Sequence, residues 1–351
     1  MLKSTITFPH RRIQQYEQNQ LCLNMNENHF PHHPDVTTVT SSQLSAYPRC
    51  RETHQRTLCR IKDYCRLQSS DNILLTNGSD DAIRLLLSLF PGKNMLLSTP
   101  TYAFVLQFID IFNINAVKIP NNDIKLMDVF MTDVDVIYLV NPTVPAGDAL
   151  DTESIKSLTV KYPKKMFIVD EAYIEYMGNT DASLAEFAST SPNTCVLRTF
   201  SKAFGLASLR IGYIVGHEDN IDALVKCYGE VAVCDVSKKA ASIVLDNVNH
   251  YMKNVEKLQE IKKYTSIQLR KIGIDHHVSK YGMTILLYMS NPVKFIQYMQ
   301  NNHHISLCLF DQIKESVRVT VSTEHNMNAF LKACSETIRT RCMKRDHHVY
   351  L

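Results

Sequence analysis

The sequence predicts an α/β protein, with a mainly parallel sheet sandwiched by helices and a smaller C-terminal α+β domain. Three observations predict it. From residue 71 onward, short apolar strands alternate with helical stretches, the pattern of strand–helix–strand units. Val136–Val140 and residues 166–169 are apolar almost throughout, as strands buried on both faces are. After Asp219 the texture becomes long, helical and charged, with shorter strands behind it. The length of 351 residues suits two unequal domains, at ~100–200 residues each.

In chain order, residues 1–45 are irregular and polar, include Phe30-Pro31-His32-His33-Pro34, and read as an extended N-terminal arm. Residues 46–235 are expected to form the large domain. Within it, 52–68 has helical spacing of Leu58, Ile61 and Cys65. Ile73–Thr76 is a strand, 80–90 a helix with an acidic first turn, 95–98 a strand and 102–112 a helix. Further strands fall at 116–119, 136–140, 166–169, 196–199 and 212–215. Residues 236–351 are expected to form the small domain, with a long helical region over 236–271. Strands at 283–288 and 317–321 and a terminal helix near 324–341 follow.

Composition narrows the function classes. A net charge of +3 with 21% charged residues gives no concentrated basic face for nucleic acid or an anionic membrane. No apolar run approaches the ~18 residues of a membrane span, and the first twenty residues lack a secretory apolar core. The ten cysteines include no C-x-x-C pair and read as reduced thiols of a cytoplasmic protein. Asn77-Gly78-Ser79 is then not a glycan acceptor. Paired histidines, such as His276/His277, lack metal-ligand spacing and read as solvated surface, so no metal site is expected. Glycine is scarce, at ten residues against a usual share of ~7%, and Gly78, Gly147, Gly205 and Gly212 all fall in the segments below.

Four segments carry chemistry. In Thr199-Phe200-Ser201-Lys202-Ala203-Phe204-Gly205, a lysine follows a strand end among apolar neighbours. Desolvation favours the neutral amine, which can attack an aldehyde and form a Schiff base. Ser201 and the lone Arg210 are suited to a phosphate. In Phe167-Ile168-Val169-Asp170-Glu171-Ala172-Tyr173, an apolar strand delivers Asp170 at its carboxyl end, where a carboxylate can pair with a protonated pyridine nitrogen. Tyr173 can reach a phenolic oxygen of the same ring. In Thr76-Asn77-Gly78-Ser79-Asp80, a glycine and a hydroxyl lie between a strand and a helix start, where free N–H groups bind phosphate. In Pro100-Thr101-Tyr102, the tyrosine can stack on a flat ring or pack against the core. Each segment alone has a plain alternative: a surface lysine, a capping aspartate or a Ser/Asp helix cap.

Their joint order and spacing resemble the fold-type I pyridoxal 5′-phosphate (PLP) aminotransferases, and within them the histidinol-phosphate aminotransferase family, over about residues 22–340. The resemblance also uses Leu23-Asn24-Met25-Asn26-Glu27-Asn28, Ala46-Tyr47-Pro48, Asn141-Pro142 with Pro145-Ala146-Gly147, and Val317-Arg318-Val319-Thr320-Val321. It implies that Lys202 links covalently to the cofactor and shuttles the proton between Cα and C4′. Asp170 would pair with the pyridine nitrogen, Tyr173 would contact the phenolic oxygen and Tyr102 would stack on the ring. Backbone at Ser79 and Asp80, with Ser201 and Arg210, would hold the phosphate. Tyr47 would reach the phosphate of a neighbouring subunit, implying a homodimer. Arg318 would take the substrate α-carboxylate as a fork, and Asn26 would lie near the substrate.

Two places depart from the family pattern. Val144 stands where the family has an asparagine that donates to the cofactor's phenolic oxygen, and valine has no donor. Its loss implies a raised titration midpoint for the bound cofactor, unless Asn141 or Thr143 takes over. Cys308 stands near the position of an arginine that binds the substrate's phosphate, and Ser279-Lys280-Tyr281-Gly282-Met283 is altered too. A neutral or differently charged amino acid therefore fits as well as histidinol phosphate. The resulting expectation is an aminotransferase with 2-oxoglutarate/glutamate as one partner. The alternatives are a PLP-dependent decarboxylase and a catalytically weakened binding protein. A nicotinamide dehydrogenase is disfavoured, since no G-x-G-x-x-G follows a predicted strand.

Overall fold

The computed structural model describes residues 20–37, 47–48, 50–120, 124–178, 182–228 and 232–339. After a short strand β1 (Leu21–Cys22) come β2 (Ile73–Thr76), β3 (Asn94–Thr99), β4 (Asn115–Pro120), β5 (Val136–Val140), β6 (Met166–Asp170), β7 (Thr194–Thr199) and β8 (Gly212–Gly216). Strands β2 to β8 form one sheet in the order β2-β8-β7-β6-β5-β3-β4. β4, β3, β5, β6 and β7 run parallel, and β8 is antiparallel to both of its neighbours. Every residue of β5, β7 and β8 is buried, which is why β5 reads as an unbroken apolar run.

Helices cover both faces. α1 (Pro34–Thr37), α2 (Arg51–Tyr64), α3 (Gly78–Leu87), α4 (Ala103–Ile111), α5 (Ile124–Phe130), α6 (Thr152–Lys161), α7 (Ala185–Thr190) and α8 (Glu218–Tyr228) interleave with the strands. The alternation of strand side chains sorts the core into two layers. Ile137, Phe167 and Val169 pack with Leu58 and Ile61 of α2 and Ile155 of α6. Tyr138, Ile168 and Leu197 pack on the other face with Ile83 of α3 and Val105 of α4.

Next come α9 (Asp235–Asp246), α10 (Val248–Lys271), β9 (His276–Val278), β10 (Thr284–Tyr288), α11 (Pro292–His303), β11 (Ile305–Ser306), β12 (Cys308–Leu309), β13 (Ser316–Thr320) and α12 (Glu324–Arg339). The strands β12-β13-β10-β9 make an antiparallel sheet. The helical region expected over 236–271 is two helices, broken at Asn247. There the side-chain Nδ2 donates to the Ile243 carbonyl at 2.8 Å and satisfies a terminal acceptor.

The N-terminal segment is part of this second assembly. β1 pairs in parallel with β11, and Leu23 and Phe30 join the core formed by Leu258, Ile285, Val319 and Phe330. Tyr173, Tyr176 and Ala203 belong to the same core, so residues 23–30 are held against the carboxyl ends of β6 and β7. Residues 1–19 and 38–45 of the expected arm, and Ala46 after it, lie outside the described residues. No helix among the described residues is long and apolar enough to cross a membrane.

Candidate active site

Parallel strands leave a crevice beyond their carboxyl ends, and Asp170 and Lys202 lie at that end of β6 and β7. Asp170 is the last residue of β6 and only 4% exposed. Its Oδ2 accepts from the Tyr138 hydroxyl at 2.8 Å and its Oδ1 from the Ala172 N–H at 3.0 Å. Burial pushes its carboxyl up to about 6, with nearby Asp80 adding to the rise, while the two hydrogen bonds and the charge of Lys202 oppose it. The carboxylate therefore remains ionised at neutral pH, with lone pairs left for a further donor.

Lys202 follows β7. Its Nζ lies 3.5 Å from the carbonyl oxygens of both Met25 and Asn26, and 5.7 Å from the centroid of the Tyr173 ring. Asn28 pins the lysine's backbone, its Nδ2 donating to the carbonyls of Ala203 at 2.8 Å and Lys202 at 3.3 Å. The Asn26 Nδ2 donates to the Tyr173 hydroxyl at 2.8 Å, and its Oδ1 accepts from Thr320 at 3.0 Å.

On another side, Arg210 folds over the start of α3. Its Nη2 lies 3.0 Å from Asp80 Oδ2, and its Nη1 donates to the Ala207 carbonyl at 3.0 Å and reaches Ser201 Oγ at 3.5 Å. The helix start also presses against β8. A Cβ at Gly212 would sit 2.7 Å from the Arg198 carbonyl and 3.1 Å from the Ser79 nitrogen, and one at Gly78 would sit 2.7 Å from Arg210 Nη2. Only glycine at these positions lets the guanidinium and the first-turn N–H groups share one cradle. A cation, a hydroxyl and a helix N-terminus together fit a phosphate, and a buried carboxylate fits a ring N–H. The donor set present thus fits a phosphorylated pyridine aldehyde.

Arg318 lies on β13, where its Nη2 donates to the Asn24 carbonyl at 2.8 Å. Its buried Nε has no hydrogen-bond partner among the described residues, which leaves that edge available for a carboxylate. Cys308 is its cross-strand partner on β12, so the second cation of the family pattern is missing beside it. Tyr102, at the start of α4, is 39% exposed rather than sunk into the core, and its ring lies 5.4 Å from that of Phe104. Tyr47 is 73% exposed.

The Val144 gap is not filled by its neighbours. Asn141 faces its own loop through both amide atoms, its Oδ1 accepting from the Leu150 N–H at 2.8 Å and its Nδ2 lying 3.5 Å from the Leu150 carbonyl, and Thr143 Oγ1 accepts from the Asp148 N–H at 3.0 Å. Val144 packs against the second core. Sequence reasoning gave no role to three participants: Tyr138, and Asn28 and Thr320 within the motifs quoted for the resemblance. Tyr138 carried a signal, because a tyrosine inside an aliphatic strand needs a partner for its hydroxyl. Behind the crevice, fully buried Arg198 lies 2.6 Å from Glu175 and 4.0 Å from Glu171, whose carboxyl is pushed up to about 7 by burial.

The family model described as aminotransferase class I and II matches residues 18–334. A dihydroxyacetone phosphate transaminase of Campylobacter jejuni is 27% identical over 350 residues, covering 92% of this chain and 91% of the relative. A histidinol-phosphate aminotransferase of Clostridium beijerinckii is 26% identical, covering 88% of each. The structure is similar to that of histidinol-phosphate aminotransferase from Sinorhizobium meliloti in complex with pyridoxal-5′-phosphate. That likeness has a TM-score of 0.82 and 20% identity and covers 92% of each chain.

Proposed function

The chain belongs to the class I and II aminotransferase family, and we propose that it is a PLP-dependent aminotransferase acting between an amino-acid or amino-alcohol-phosphate donor and 2-oxoglutarate. The observation that carries this reading is the convergence of three unlike groups on one crevice. These are the Lys202 amine, the ionised Asp170 carboxylate and the Arg210–Ser201 cradle at the start of α3. When bound, PLP supplies an aldehyde for the amine and a ring that withdraws electrons from the substrate Cα.

The rest of the work falls to the chain's own side chains. The carbonyls of Met25 and Asn26 accept from Lys202 Nζ, which orients the amine and keeps it at the site as a proton carrier. Asp170 would hold a proton on the ring nitrogen by charge, and Tyr138 holds Asp170. Arg210, Ser201 and the N–H groups of Ser79 and Asp80 anchor the phosphate, which fixes the ring against rotation. Tyr102 would cover the ring face and Tyr173 would contact the phenolic oxygen. Tyr47 extends to the phosphate site of a second copy, so the working unit is a homodimer.

Arg318, whose Nη2 is held by the Asn24 carbonyl and whose Nε has no hydrogen-bond partner among the described residues, would take the substrate carboxylate. The names of the relatives favour a phosphorylated donor or acceptor, whereas Cys308 offers no charge to a distal phosphate. The test is a screen of amino donors with 2-oxoglutarate and the PLP-loaded protein. Glutamate and a keto compound should form in equal amounts without carbon dioxide. Carbon dioxide release in place of glutamate would assign a decarboxylase instead.

A further inference from the structure

The proposed chemistry leaves a deficit at the cofactor's phenolic oxygen, since Val144 lacks a donor, the Asn141 amide faces Leu150 through both its atoms, and Thr143 Oγ1 is held by the Asp148 N–H. We propose that Asn26 makes up for it as a positioning residue, working with Thr320 to direct the Tyr173 hydroxyl proton at that oxygen. The proposal rests on the reading of the site given above.

The direction of the relay follows from counting donors. The Asn26 N–H donates to Thr320 Oγ1 at 2.9 Å, so the Thr320 hydroxyl is already an acceptor and sends its own proton onward. The Asn26 amide atom facing it at 3.0 Å is Oδ1, which takes that proton, whereas a flipped amide would leave the Thr320 proton without this acceptor. The amide is thereby fixed with Nδ2 toward Tyr173, at 2.8 Å. The tyrosine oxygen accepts from Asn26 on this side, which leaves its own proton for another acceptor, and Lys202 Nζ lies 5.7 Å from the centroid of the same ring.

The backbone supports the arrangement. Asn26 is 3% exposed and has φ 54°, a left-handed conformation that asparagine adopts more readily than most residues. Its carbonyl lies 3.5 Å from Lys202 Nζ, so one residue touches the lysine and the tyrosine together. Thr320 and Arg318 are two apart on β13 and share a face. The Arg318 guanidinium holds the Asn24 carbonyl while Thr320 holds Asn26, so segment 24–26 is clamped at both ends to the strand that takes the substrate carboxylate.

A donor to the phenolic oxygen stabilises its negatively charged form, and so lowers the pH at which the lysine-bound cofactor loses its proton. Losing the oriented donor raises that midpoint. The experiment is a pH titration of the visible absorbance of the PLP-loaded protein. Asn26→Ala and Tyr173→Phe should each raise the midpoint by about one pH unit. The double variant should go no further than Tyr173→Phe alone, because the amide acts through the tyrosine. Thr320→Val should raise it too, while Thr320→Ser, which keeps the hydroxyl, should restore the wild-type midpoint. Additive shifts in the double variant, or an unchanged midpoint in Asn26→Ala, overturn the proposal. Should Asn26→Ala retain no cofactor, the Thr320 pair decides: equal midpoints in Val and Ser overturn it. Wild-type protein that takes up no PLP would overturn the reading of the site, and the relay with it.

Discussion

Replacing Tyr138 with phenylalanine removes one oxygen and leaves the packing of a fully buried ring intact. That oxygen donates to Asp170 at 2.8 Å. A hydrogen bond to a charged group is worth about 1.5–3 kcal/mol, and one pKa unit corresponds to about 1.4 kcal/mol. Asp170, pushed up to about 6 in the wild type, should therefore rise by about one to two units in Tyr138→Phe. At pH 7 the ionised fraction falls from about nine-tenths to between about one-half and one-tenth. Only the ionised form holds a protonated pyridine nitrogen, so the apparent dissociation constant for PLP should rise about two- to tenfold at pH 7. The deficit should vanish by about pH 9, where both proteins carry the carboxylate. Equilibrium fluorescence titrations with PLP across this range read the effect. A deficit of equal size at every pH, or none at pH 7, would refute the reasoning. The cofactor-free protein supplies an independent check. Asp170 binds its proton more tightly folded than unfolded, so its contribution to stability is fully present below 3.8 and is lost as pH rises to about 6. In Tyr138→Phe the upper end of that loss should move to higher pH, visible in thermal melts.

Arg210→Met should weaken PLP binding by at least about tenfold while leaving the affinity for unphosphorylated pyridoxal unchanged, as paired binding titrations would show. Arg318→Met should raise KM for a carboxylate-bearing donor by about ten- to a hundredfold and change KM for an amino alcohol little, a contrast read from steady-state kinetics. Arg198→Met strips the cation from Glu175 and Glu171, which are buried, and should destabilise the protein by about 3–5 kcal/mol. A urea midpoint within error of the wild type would contradict it.

The parts of the fold that showed in the sequence are those where a local pattern is enough. Val136–Val140 and the run before Asp170 declared themselves because burial on both faces demands apolar residues at every position. Other elements had local signals that went unused. α6 starts at Asp151, whose carboxylate accepts from the Ser154 N–H, and α11 starts at Asn291 followed by Pro292. In the candidate site, Lys202, Asp170 and Arg210 were legible because each sits at a strand end or turn with unusual neighbours. Tyr138 was not, because its role depends on a diagonal neighbour across two strands. Thr320 was not either: it meets Asn26 across 294 positions of chain, a contact that exists only once β13 and the N-terminal segment share a core. The gap at Val144 could be read from the sequence, whereas the residue that answers it could not.

The central claim is that the Lys202 amine carries PLP. Loading the purified protein with PLP, reducing with borohydride and mapping the peptides should place a single phosphopyridoxyl group on Lys202. Lys202→Ala should then show neither the label nor the visible band. A wild-type protein left unlabelled, or labelled on another lysine with Lys202 unmodified, would contradict the account.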